Sequence, residues 1–448
     1  MRATLLQMCD SSMHARKRRA EDVVLPSGSG PHRRIDARMN VVNRSDFVPA
    51  FEMKQSERGL ALPSSPIRRL ASLATAATAR GVYVHHLNIG QPDLVPPPEV
   101  IRVLEQAPEI RLAYAPSRGL PGTVDAWSAY YRRYGIEVEA EEILVTAGAS
   151  EALALALLTT CDPGDEVLVP EPFYAPYKGI AALYGVRLVP VPLGESYSPP
   201  PVHAFQRRVT NRTRAIILCS PNNPTGTVYQ HANLVAIGEF ARATGLFILS
   251  DETYREIVFD GPPATSALAI QELEEIVIVV DSLSKRFNMC GARVGSFVSR
   301  NRQIMAAALE IAELRLAVPA IEQHAAAAAL TASPAYLADL VETYRRRVDV
   351  VAHGLWRIAG VEVRRPDGGF YVVPRLPVDD AERFASWLLT DFSQQDETVM
   401  VTPMSDFYGT AGFGSHEVRI ACIVNEEALG RAVDILAAGL TTYPGRTR

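Results

Sequence analysis

Between residues 140 and 300 the chain alternates two patterns. Short apolar runs rich in β-branched residues, with no polar alternation, fall at Glu142–Thr146, Glu166–Pro170, Val186–Pro190, Ala215–Cys219, Phe247–Ser250 and Ile276–Val280. Strands buried on both faces look like this. Helical patterns lie between them, among them Ala232–Thr244 and the almost wholly apolar Ser150–Thr160. This alternation predicts an α/β domain around a mostly parallel, doubly covered sheet.

The flanking pattern is different. A helical pattern opens at Pro66-Ile67, with Leu70, Leu73 and Ala77 on one face, and the Ala-rich stretch Met305–Thr331 reads as helix. A long helix is expected over Ala335–Ile358. It is followed by strands near Val361–Arg364, Gly369–Pro374, Val399–Thr402 and Val418–Ile423, with helices at Ala381–Asp391 and Glu426–Thr441. Residues 1 to about 60 are rich in Arg, Ser, Pro and Gly without periodicity, and a disordered extension is expected there. The expected division is that extension over 1–60, a large domain over 111–330 and a smaller α+β domain over 331–448 to which 61–110 contributes.

Composition adds little and excludes some classes. Of 448 residues, 48% are apolar and 21% charged, ample for a core, and a net charge of −5 gives no electrostatic footing for nucleic acid or a membrane surface. No stretch approaches the ~18 consecutive apolar residues of a membrane span. In the extension the apolar piece Ala3–Met8 precedes the basic run Arg16–Arg19, the reverse of a secretory signal. Five scattered cysteines have neither metal-ligand spacing nor a disulfide framework, so a reducing cytoplasm and no metal are expected.

Chemistry concentrates at the ends of the buried runs. Asp281-Ser-Leu-Ser-Lys285 is a hydroxyl-rich turn leaving an apolar strand, and Gly291-Ala-Arg293-Val-Gly295 opens a return strand. A lysine there is partly desolvated, which favours the neutral amine needed for imine chemistry. Ser220-Pro-Asn-Asn223-Pro-Thr-Gly226 and Ser250-Asp251-Glu-Thr-Tyr254 end two more runs, where open α/β sheets bind ligands. A carboxylate at Asp251 is costly there unless a cation faces it. Gly148-Ala149-Ser150 stands between a strand and a helix, where backbone N–H groups can meet an anion.

Together, from about Pro63 onward, these motifs resemble the class I/II aminotransferases of pyridoxal-5′-phosphate (PLP) fold type I. The resemblance implies a mostly parallel seven-stranded sheet and a ping-pong transfer of an amino group between an L-α-amino acid and a 2-oxo acid. It implies that Lys285 forms the Schiff base and shuttles a proton, and that Asp251 keeps the pyridine nitrogen protonated. Asn223 and Tyr254 match the pair on the cofactor's 3′-oxygen, and Tyr174 the aromatic stacked on its ring. Ala149, Ser150, Ser282, Ser284 and Arg293 match the phosphate clamp. Tyr114 resembles a tyrosine that reaches the neighbouring subunit's phosphate, implying a homodimer with shared sites. Gly90 and Arg419 match the groups facing the substrate carboxylate.

The chain departs from the family at the phosphate turn, where Ser150 stands in place of a frequent lysine; an aspartate preference loses that support. Arg315 is then the one cation that the sequence offers near a substrate side chain, against a set of Tyr174, Phe370 and Tyr371 that favours neutral or aromatic amino acids. The same motifs also serve elimination, decarboxylation, oxidation and cyclisation of amino acids, and PLP-sensing transcription regulators.

Overall fold

The apolar runs become the centre of a seven-stranded sheet: β1 (Ile143–Thr146), β2 (Glu166–Glu171), β3 (Arg187–Pro192), β4 (Thr213–Cys219), β5 (Phe247–Asp251), β6 (Val277–Ser282) and β7 (Gly295–Val298). This computed structural model describes residues 54–60, 62, 65, 67–106 and 113–447, so the reading of the N-terminal extension lies almost wholly outside the described residues. The strand order is β1-β7-β6-β5-β4-β2-β3, parallel throughout except for β7, which runs antiparallel to both neighbours.

Successive residues of each strand feed two different cores. Ile143, Val145, Ile216, Leu218, Val277 and Val279 join Trp127, Tyr130 and Leu234 on one face. On the other, Leu144, Ala215, Ile217, Ile278 and Val280 pack with helices Ala149–Thr160 and Arg302–Glu313. A strand that fills two cores has no polar face to show, which is why the runs read as unbroken.

The register sets the active edge. Thr146 of β1 pairs with Gly295 of β7, and Gly295 with Ser282 of β6. Asp251 of β5 lies beside Val280 and Cys219. Four chemistry-bearing turns therefore leave one row of strand ends.

A third core joins Leu70, Ala74, Ala77, Val84 and Leu87 to Tyr344, Val348, Phe384, Leu388, Ile420 and Leu436. Strand Tyr83–His86 pairs in parallel with Glu397–Met400, and helices Pro334–Trp356, Ala381–Thr390 and Glu426–Thr442 follow the predicted pattern. The single helix expected over Met305–Thr331 is instead two, Arg302–Glu313 and Ala320–Leu330. Leu316 takes a left-handed φ of 70°, and Pro319 has no N–H to continue the ladder. Among the described residues no helix is long and apolar enough to cross a membrane.

Candidate active site

A cavity of about 430 Å³ opens at that row of strand ends. Gly90, Ala149, Ser150, Tyr174, Asn223, Asp251, Tyr254, Ser282, Ser284, Lys285, Arg293 and Arg419 all line it. Tyr114 does not; its side chain is 86% exposed.

The turn after β6 carries the lysine inward. Lys285 Nζ donates to the Gly90 carbonyl at 2.7 Å. Gly90 must lack a side chain, because a Cβ there would lie 1.8 Å from Tyr371 Oη. Beside the lysine, Ser282 and Ser284 share a hydroxyl contact of 2.7 Å. Arg293 sits just before β7 at a left-handed φ of 54° and donates to the Cys290 carbonyl at 2.9 Å. Non-glycine residues accept such strain mainly where surrounding structure imposes it, often at functional sites. Its guanidinium abuts Gly148, whose φ of 79° suits glycine and whose added Cβ would approach Arg293 Nη2 to 2.6 Å. Helix Ala149–Thr160 begins at that point, with leading N–H groups that have no acceptor within the helix. The arrangement is a cationic, donor-rich cradle for an anion.

Asp251 faces the cavity from the end of β5. Burial pushes its carboxyl above the usual range, while a bond from Tyr177 Oη at 2.5 Å and one from the Thr253 amide at 3.1 Å pull the other way. A cation opposite would settle the cost of ionising it. Tyr177 escaped the sequence reading, although it stands one helical turn beyond Tyr174; the two rings meet edge-on at 5.4 Å. Burial raises the Tyr174 hydroxyl to about 12, so it stays a neutral aromatic wall.

Arg419 is 1% exposed and lies over the Tyr371 ring at 4.2 Å. It donates to Asn223 Oδ1 at 3.0 Å and to the Asn88 carbonyl at 2.8 Å, while its Nε has no partner among the described residues. With Asn223 Oδ1 so engaged, the Asn223 amide NH₂ is left for the cavity. Tyr254 Oη meets Tyr371 Oη at 3.1 Å. Asn88 and Tyr371 thus hold the arginine and the tyrosine in place, and Asn88 carried no motif signal.

Arg315 does not face the cavity. It pairs with Glu151 at 2.6 Å and donates to the Val145 carbonyl at 2.7 Å, bracing the turn from outside. The sequence's candidate for a distal cation is therefore structural.

Residues 83–436 match the family model for aminotransferase class I and II. The chain belongs to the class I and II aminotransferases. It is similar to a probable aspartate/prephenate aminotransferase of Thermus aquaticus, 34% identical over 86% of this chain and all of that one. Among solved structures it is similar to the aspartate aminotransferase of Thermus thermophilus with maleate, at 30% identity and a TM-score of 0.79, covering 87% of this chain and 100% of the other. An alanine aminotransferase of Pyrococcus furiosus fits equally well, with TM-score 0.79, 28% identity and coverage of 86% and 99%.

For this aminotransferase the Tyr177–Asp251 contact yields a prediction. Tyr177→Phe removes a donor to a buried carboxylate, worth about 1.5–3 kcal/mol. The Asp251 carboxyl should rise further, lowering kcat by about tenfold or more and moving the acidic limb of the rate profile to higher pH. A pH profile superimposable on the parent's would remove Tyr177 from the site.

Proposed function

We propose that this aminotransferase holds pyridoxal 5′-phosphate in the 430 Å³ cavity and works as a homodimer. One observation carries the reading: Lys285, Asp251, Arg293 and Arg419 come from four separate segments and converge on one cavity. The donor set fits the group. Arg293, Ser282, Ser284 and the amides of Ala149 and Ser150 suit a phosphate. Asp251, buried without a cation of its own, suits a protonated pyridine nitrogen. The Asn223 amide and Tyr254 suit the 3′-oxygen, and Tyr174 the ring face.

Bound there, the cofactor supplies an electron-poor ring that takes up the electrons released when an amino acid loses its Cα proton. Lys285 would hold the cofactor's aldehyde carbon and, once its amine is freed, would take and return the proton at the substrate Cα. Arg419 would grip the substrate α-carboxylate in two-pronged fashion, with the Gly90 backbone facing it. Asn88 and Asn223 keep that guanidinium in the cavity that Lys285 also lines.

Dimerisation is supported by large apolar side chains left in water, among them Val95 at 76% exposure, Tyr114 at 86% and Leu314 at 85%. Arg315 ties two of these segments together through the Ser117 carbonyl. A second copy covering them would bring Tyr114 to the neighbouring phosphate cradle. The four described cysteines are unpaired, in keeping with a reducing cytoplasm.

The test is direct. Protein supplied with PLP should turn yellow and sediment as a dimer; an L-amino acid alone should shift the visible band, and a 2-oxo acid should restore it. Ammonia or carbon dioxide released in step with donor loss would replace amino transfer with another reaction.

A further inference from the structure

The cavity has one cation with no assigned task. Its lining includes four basic side chains, Arg68, Lys285, Arg293 and Arg419, against the single carboxylate of Asp251. Three of the four have work in the reading above. Arg68 is exposed and its side chain makes no ion pair or hydrogen bond with any described residue.

Its position is nonetheless fixed from both sides. Arg69, next along, pairs with Asp406 at 2.9 Å and Glu382 at 2.5 Å. Ile67, just before, packs near Val373, Met404 and Phe407, and its carbonyl accepts from Asn88 Nδ2 at 2.7 Å. The backbone turns here, with the Arg68 amide bonded to the Ser65 carbonyl at 3.1 Å. Two consecutive arginines thus divide: one anchors the segment, the other is presented to the cavity.

Asn88 connects this segment to the α-carboxylate grip. Its side chain holds Ile67, and its own carbonyl accepts from Arg419. The rest of that wall is apolar, from Ile67, Ile89, Leu153, Pro176 and Ile180, with hydroxyls from Ser65 and Ser150. Asp251 is the one acidic side chain lining the cavity, and it makes no ion pair or hydrogen bond with Arg68.

We propose that Arg68 is the receptor for a second carboxylate at the far end of the substrate, so that dicarboxylic amino acids and 2-oxo diacids are the preferred pair. The inference rests on the cofactor reading above. With Arg293 given to a phosphate and Arg419 to the α-carboxylate, Arg68 is the remaining guanidinium, and a carboxylate is the group it binds best, through two parallel N–H···O bonds. It replaces the role that neither Ser150 nor Arg315 can play.

Glutamate against glutamine, and aspartate against asparagine, compare an acid with its neutral isostere. In the holoenzyme kcat/KM should favour the acid of each pair. Arg68→Gln should cut that preference about tenfold or more, as expected for one charge-assisted contact at a partly open site. Arg68→Lys should retain part of it, and Arg315→Gln should leave the acid-to-amide ratio as in the parent. Calorimetry with succinate and butyrate reads the same residue without turnover: the parent should bind succinate more tightly, and Arg68→Gln should erase the difference. A parent that prefers the amides, or an Arg68→Gln variant with unchanged ratios in both assays, overturns the proposal. Loss of the cofactor reading would show separately, as a protein that turns over no amino acid whatever succinate does.

Discussion

Lys285→Ala should lose turnover by about 10²–10⁴-fold or more, the usual cost of removing a positioned acid–base group. The geometry explains why no neighbour can substitute. Lys285 is the one lysine lining the cavity among the described residues, and the delocalised guanidinium groups beside it are no substitute for an amine nucleophile. The side chain is held at the Gly90 carbonyl, a contact made when that acceptor is a bare glycine pressed against Tyr371. The variant should still fold, because the lysine makes no ion pair and its turn is fixed by Ser282 and Ser284. Product formation by the variant, measured over hours with cofactor in excess, checks this. A rate within tenfold of the parent would take Lys285 out of the reaction.

The second large effect concerns stability and sits one residue further on. Arg286 is fully buried, pairing with Glu256 at 2.6 Å and Asp281 at 2.5 Å, and Arg255 also reaches Glu256 at 2.9 Å. Burial alone would push the Glu256 carboxyl up, but Arg286 and Arg255 outweigh it and hold it down to about 2. Arg286→Met leaves Asp281 without an ion-pair partner among the described residues and Glu256 with Arg255 alone, in a dry core. Breaking a buried pair in this way costs about 3–5 kcal/mol. Urea unfolding of the intact protein should show that loss, whereas Arg132→Met, at a pair with Glu137 that is 59% and 68% exposed, should cost far less. The sign with pH follows from the depressed carboxyl. Glu256 contributes fully above its ordinary 4.5, and the contribution is lost as pH falls toward 2. An Arg286→Met protein as stable as the parent would mean that the charges hold nothing.

The sheet and its active edge were legible because each buried strand wrote its own apolar run and ended in a polar motif. Lys285, Asp251, Asn223 and Arg293 could be singled out on local pattern alone. The distal wall could not. Arg68 and Arg315 look alike in sequence; what separates them is that Glu151 claims one and no described residue claims the other, a fact of tertiary pairing. Tyr177 and Asn88 were hidden for the same reason, since each acts through a partner distant in the chain. The break at Leu316 was masked by alanines on both sides, which keep helical composition while Pro319 ends the hydrogen-bond ladder.

The pairing of Tyr83–His86 with Glu397–Met400 has a consequence for how the chain is made. A ribosome delivers the first of these strands long before the second, at about 5–20 residues per second. For that interval an early strand carrying Val84, with Leu70 and Ala74 around it, has an apolar surface and unpaired amides but no mate. The seven-stranded sheet between them, whose last strand ends at Val298, can assemble meanwhile. Late in synthesis, therefore, the nascent chain reaches back to close on Tyr83–His86, and that stretch is where a chaperone would have most to hold.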